Sequence, residues 1–146
     1  MAEKTLNQTT PSTQALTYCL VVRCGPYQQS QARTAFEFAK TLLSLGHTIE
    51  RVFFYQQGVH TASSLRITPQ DEWDLTQAWQ TLAQAHNVEL GVCIAAALQA
   101  GILDSKEASR YQKDNASLAN GFELVGLGQL AAASATCDRL VSFGGQ

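Results

Sequence analysis

A chain of 146 residues with 45% hydrophobic side chains has the length of one domain and buries roughly 68–70% of its unfolded surface on folding, so it needs no staples. A formal net charge of −2 with 15% charged residues supplies no basic face for a phosphate backbone, which argues against direct nucleic-acid binding. The four cysteines form no C-x-x-C pair and have no histidine at metal-ligand spacing, so no metal site is expected.

Residues 1–14 are rich in Thr, Gln and Ser and include Pro11; they cannot offset their own ordering entropy and read as a flexible tail ahead of one domain, 15–146. Leu16 to Val22 is a nearly continuous apolar run, the pattern of a strand covered on both faces in a parallel sheet. Cys19 lies inside it as core, whereas Cys24 falls at its C-terminal end, where α/β proteins bind ligands, and is a minor candidate for function. From Gln29 to Leu45, Ala32, Ala35, Phe36, Ala39, Leu42 and Leu43 share one helical face, with Gly46 to close it. A second strand, Thr48 to Tyr55, exits through Gln56-Gln57-Gly58-Val59-His60 into a polar loop, Thr61 to Ile67. Thr68 and Pro69 then supply an N-cap and first helical position, with Asp71 and Glu72 in the first turn. Leu75, Ala78, Trp79 and Leu82 form that helix's buried stripe, and Asn87 ends it.

The next stretch, Val88-Glu89-Leu90-Gly91-Val92-Cys93-Ile94-Ala95-Ala96-Ala97-Leu98-Gln99-Ala100-Gly101, is the one the chain is organised around. A short β run turns at Gly91 to Cys93 and continues as a small-residue helix that Gly101 stops. Cys93 therefore stands where a strand hands over to a helix, against unpaired N–H groups that favour a thiolate. The competing reading is a small buried hydrophobe, the usual fate of an unpaired cysteine. Beyond Gly101, Asp104 with Glu107 opens a short helix. A fourth strand, Phe122 to Val125, leads through Gly126-Leu127-Gly128 into an alanine-rich helix, Gln129 to Ala135; Cys137 sits in the following turn as a structural residue, and a last strand runs from Arg139 to Phe143.

Strands alternating with helices predict an α/β fold, a three-layer α/β/α sandwich around a mostly parallel five-stranded sheet. The strand C-termini then share one edge, where the turns Arg23 to Tyr27, Gln56 to His60, Gly91 to Cys93 and Gly126 to Gly128 converge, with Cys93 in their midst. Gly126-Leu127-Gly128-Gln129-Leu130-Ala131 matches the relaxed dinucleotide fingerprint, but the acidic residue roughly 20 positions further on that holds a ribose is absent, so no nucleotide cofactor is expected. A hydrolase-type cysteine needs a base within reach. His47 and His86 fall at the opposite ends of the strands, leaving only His60. Sulfur-atom transfer needs less: one accessible thiolate that attacks a sulfane sulfur and later leaves from it. The low charge fits either a well-filled monomer core or a face covered by other subunits. No apolar run reaches membrane-span length and no secretory apolar segment is evident, so the expected localisation is cytoplasmic, with reduced thiols and no membrane partner.

Gly25-Pro26-Tyr27, Ala35-Phe36-Glu37-Phe38-Ala39, Val52-Phe53-Phe54-Tyr55 with Gly58-Val59, Cys93-Ile94-Ala95-Ala96-Ala97-Leu98 with Gly101, and Gly126-Leu127-Gly128 with Cys137-Asp138-Arg139 keep the order and spacing of the DsrE-like family. From Tyr18 to Phe143 the chain resembles that family, in its TusD branch. The resemblance implies a sulfurtransferase in which Cys93 is the persulfide carrier. It implies a TusA-like sulfur donor, a TusE-like acceptor, and TusB-like and TusC-like subunits in a heterohexamer, in the relay that 2-thiolates the tRNA wobble uridine, with no cofactor and no metal. Alternatives on the same fold are a DsrE-type subunit of dissimilatory sulfur oxidation and a non-catalytic subunit. The chain departs from the family at His60, where a tyrosine is common, at Cys24, an addition, and in its longer N-terminal tail.

Overall fold

A computed structural model describes residues 14–145; the predicted tail lies almost wholly outside them. Five strands form one sheet: β1 (Thr17–Val22), β2 (Thr48–Phe54), β3 (Glu89–Cys93), β4 (Phe122–Val125) and β5 (Arg139–Phe143). Their order is β4-β3-β2-β1-β5 and every pairing is parallel, as the alternation of strands and helices requires. The chain thus steps outward from β1 to β4, then returns across the sheet so that β5 pairs on the other side of β1.

Helix α1 (Gln29–Ser44) and α2 (Leu75–His86) cover one face through aromatic packing. Trp79 meets Phe36 edge-on at 5.2 Å and Phe54 at 5.5 Å, and Phe54 in turn meets Phe122 at 5.5 Å. Edge-to-face contacts of this kind add to the area each ring buries. On the opposite face lies α5 (Leu127–Thr136), which buries only Ala133 fully. Two six-residue helices, α3 (Ile94–Gln99) and α4 (Ser105–Arg110), connect β3 to β4. No helix among the described residues is long and apolar enough to cross a membrane.

Several boundaries follow local chemistry. Asn87 ends α2 in the left-handed conformation at φ 53°, which Asn tolerates. Asp104 Oδ1 accepts the Glu107 N–H at 2.8 Å and caps α4, as its sequence predicts. Other expectations need correction. The helix predicted from Thr68-Pro69 starts six residues later: Asp74 is its cap, accepting from Gln77 N at 3.1 Å, so Asp71 and Glu72 precede the helix. The physical reason is that the buried stripe begins only at Leu75, while Ile67 is almost fully exposed, leaving an earlier turn nothing to pack on. Residues read as an exit turn and polar loop form a 3-10 helix, Gln56–Ala62. Gly128 lies inside α5 rather than in the turn before it, with Gly126 as the N-cap.

Candidate functional site

Cys93 is the last residue of β3 and the N-cap of α3, with φ −57° and ψ 114°. Because every strand is parallel, this end of β3 shares an edge with the ends of β1, β2 and β4, and the predicted convergence of their turns is realised. Cys93 pairs with Val125 of β4, while Val92 pairs with Phe54 of β2, so the thiol belongs to an inner strand. Gly91, predicted as the start of a turn, is a strand residue. A Cβ at Gly91 would stand 2.9 Å from Val125 Cγ2 and 3.5 Å from Phe53 Cδ2, so a side chain here would force the Val125 side chain to move.

The Cys93 side chain is free and 1% exposed, which corrects the expectation of an accessible thiol. It makes no side-chain hydrogen bond among the described residues, and α3 behind it is six residues long, so the dipole expected to act on it is short. The 3-10 helix packs against both β3 and α3 and carries buried Val59 and Ala62 into the same core cluster as Cys93 and Ala97. Its seat is tight: a Cβ at Gly58 would overlap the Val22 carbonyl. Thr61 in this segment is 1% exposed, and its hydroxyl lacks a hydrogen-bond partner; nothing in the sequence pattern marked it.

The histidines fall where the sequence placed them. His47 Nδ1 accepts the Leu16 N–H at 3.0 Å at the N-terminal end of the sheet, His86 closes α2, and His60 lies in the 3-10 helix without bonding Cys93. The arrangement therefore supplies Cys93 with no hydrogen-bonded base, unlike a protease-type dyad.

Cys24 is fully buried, and burial raises its thiol pKa above the ordinary value. Gly144 passes so close that a Cβ there would stand 2.6 Å from Cys24 Cβ, so Cys24 is packed rather than presented. The cysteines read as two separate residues, one core and one structural, are joined: Cys19 and Cys137 form a disulfide with Cα atoms 6.1 Å apart, a correction to the expectation of reduced thiols. Neighbouring Glu50 brings three groups of metal-ligand type within 4.8 Å. No local pattern marks this cluster, because it forms only once β5 lies beside β1.

Comparison with known proteins agrees with this geometry. Residues 17–143 match the DsrE/DsrF-like family. The chain is 45% identical over 129 residues to Sulfurtransferase TusD of Photorhabdus laumondii, covering 88% of this chain and 98% of that one. With the Sulfurtransferase TusD homolog of Vibrio vulnificus the identity is 49% over 129 residues, at the same coverage. Among solved structures, the ychN protein from E.coli superposes with a TM-score of 0.69 at 17% identity, over 89% of this chain and 100% of that one, a likeness of fold. With its five parallel strands and a free cysteine closing the third, the chain belongs to the DsrE/DsrF-like family, beside its TusD sulfurtransferases.

Proposed function

We propose that this chain is a sulfurtransferase that carries sulfur as a persulfide on Cys93. The observation that carries the reading is the position of Cys93: a free thiol closing an inner strand at the edge where parallel sheets hold their sites, in a chain close to proteins named Sulfurtransferase TusD. Neither a metal nor an organic cofactor is needed for the step. The Cys93 thiolate attacks the outer sulfur of a donor persulfide, the donor's S–S bond breaks, and the donor leaves as a thiolate. An acceptor thiolate then attacks the outer sulfur on Cys93, which leaves as a thiolate in turn, so oxidation state is conserved across the relay.

Burial shapes how this works. A thiol that is 1% exposed meets a protein donor only when the packing around it yields, and the segment proposed to move is the 3-10 helix Gln56–Ala62, which packs against both β3 and α3. Docking of the donor displaces that segment, and its return shields the labile persulfide from water and stray thiols. The proposed donor is TusA-like and the acceptor TusE-like, with TusB-like and TusC-like subunits completing a heterohexamer in the cytoplasm and tRNA 2-thiouridine as the end product.

The test uses the full chain with a persulfidated donor protein. Trypsin separates all four cysteines, placing Cys93 alone in the peptide 67–106. A reductant-sensitive gain of about 32 Da on that peptide is the expected result, and Cys93→Ser abolishes it. A gain confined to another cysteine peptide, or none from a donor that does load a known acceptor, overturns the proposal.

A further inference from the structure

At the end of the sheet remote from Cys93, α5 is anchored by very little. Of its ten residues only Ala133 is fully buried, with Leu130 half-buried against the core, and its side chains take a hydrogen bond from the Arg51 guanidinium at Gln129 near the first turn. Its last turn runs into Cys137, whose N–H donates to the Ala133 carbonyl at 2.9 Å. That carbonyl lies 3.9 Å from Cys19 Sγ in β1, and the Cys137 sulfur is bonded to the Cys19 sulfur across 118 residues of chain. The corner is pre-formed without the bond: Asp138 N donates to the Thr17 carbonyl at 2.9 Å and Asp138 Oδ2 accepts from Thr17 N at 2.8 Å. The β bulge between Tyr18 and Cys19 adds Glu50 to the same side, its carboxylate 3.3 Å from Cys137 Sγ.

We propose that Cys19 and Cys137 are a reversible dithiol–disulfide pair that clamps the C-terminal end of α5 to β1. Cys19 is fully buried while Cys137 is half-buried, which sets the order of events. The Cys137 thiolate attacks a low-molecular-weight disulfide such as glutathione disulfide, and one glutathione thiolate leaves. Cys19 then attacks the Cys137 sulfur, the second glutathione leaves, and the protein bond forms. Two protein thiols lose two electrons and two protons, and glutathione disulfide takes them up to become two glutathione molecules. In the reduced state the Cys137 S–H faces Glu50, whose carboxylate accepts its hydrogen bond and holds the sulfur beside its partner.

The full chain, reduced and then equilibrated with glutathione disulfide, decides the matter. Loss of about 2 Da from the intact mass is expected, with a cross-link joining the tryptic peptides 5–23 and 114–139, each of which holds one cysteine. Amide exchange at residues 127–136 should then run on the order of tenfold faster in the reduced chain and in Cys137→Ser than in the oxidised chain, with exchange in α1 unchanged. Stable glutathione adducts without a cross-link, a cross-link to another cysteine, or equal exchange in both states overturns the proposal. So does a stoichiometric adduct of added zinc chloride on the reduced chain that Glu50→Gln removes, because the cluster would then be a metal site.

Discussion

The two helical layers of the sandwich are built on different principles. Beneath α1 and α2, Phe36, Phe54, Trp79 and Phe122 interlock at centroid distances of 5.2 to 5.5 Å, so that layer is tied to the sheet by large rings. Across the sheet, α5 is alanine-rich, fully buries one residue, and leaves its own Leu127 and Leu140 of β5 half-exposed. The lesson is a division of labour between the two faces of one sheet. One face carries the large-ring packing, and the other stays thin on the side of the sheet where Gly91, Phe53 and Val125 converge, two residues before Cys93.

If that division is right, damage should depend on the face. Trp79→Ala removes the ring that bridges α1, α2 and the sheet, and should cost about 3–5 kcal/mol in denaturant unfolding; a cost under about 1 kcal/mol would dissolve the distinction. Gly91→Ala tests the crowded point of the opposite face. Its Cβ would stand 2.9 Å from Val125 Cγ2, and overpacking of this kind costs about 1–3 kcal/mol. Because Gly91 is two residues from Cys93 on the same strand, sulfur loading on Cys93 should fall with it, while a folded and fully active variant would show that β3 has slack.

Which parts of this arrangement the sequence reveals depends on how local their physics is. The apolar run of β1, the left-handed Asn87 and the Asp104 cap are decided by neighbouring residues, and each stands where its pattern puts it. Thr68-Pro69 carries an equally good local signal and fails, because the stripe that a helix must bury starts at Leu75. The close approach of Gly91 to Val125, the seating of Gly58 against the end of β1 and the joining of Cys19 to Cys137 beside the β1–β5 pairing each bring together distant parts of the chain. Those contacts are non-local and leave no periodic trace. The position of Cys93 is legible for the same reason that its burial is not: the strand-to-helix junction is local, whereas the core that buries the thiol is shared by distant segments.

Chemical reactivity should report the packing of Cys24 as well. Burial raises the Cys24 thiol pKa, so in the native chain Cys24 should be alkylated at pH 8 far more slowly than after unfolding, and rapid native labelling of the 24–33 peptide would contradict its packing. The linkage follows from the direction of the shift. Stability associated with this thiol is complete below its ordinary value of 9.0 and is lost as the pH rises above that toward the raised native value, because the unfolded chain gives up the proton first. Cys24→Ser should flatten that alkaline decline in an unfolding series from pH 8 upward.

The smallest expected effects lie on α5 itself. Ala131 and Ala132 are exposed while adjacent Ala133 is buried and Leu130, one turn earlier, packs against the core, so the helix meets the sheet along one narrow line. Ala131→Ser and Ala132→Ser should each change stability by no more than about 0.5 kcal/mol, the range of substitutions that touch nothing, plus the slight loss of helix propensity. Ala133→Leu should cost about 1–3 kcal/mol by overpacking, since the Ala133 side chain is already buried against the sheet. Thermal unfolding of the three variants separates the outcomes. If all three are neutral, α5 is not seated on the sheet in the free chain; if Ala131→Ser or Ala132→Ser matches Ala133→Leu in cost, the exposed face of α5 is packed against something, and the thin layer is thin only in the isolated chain.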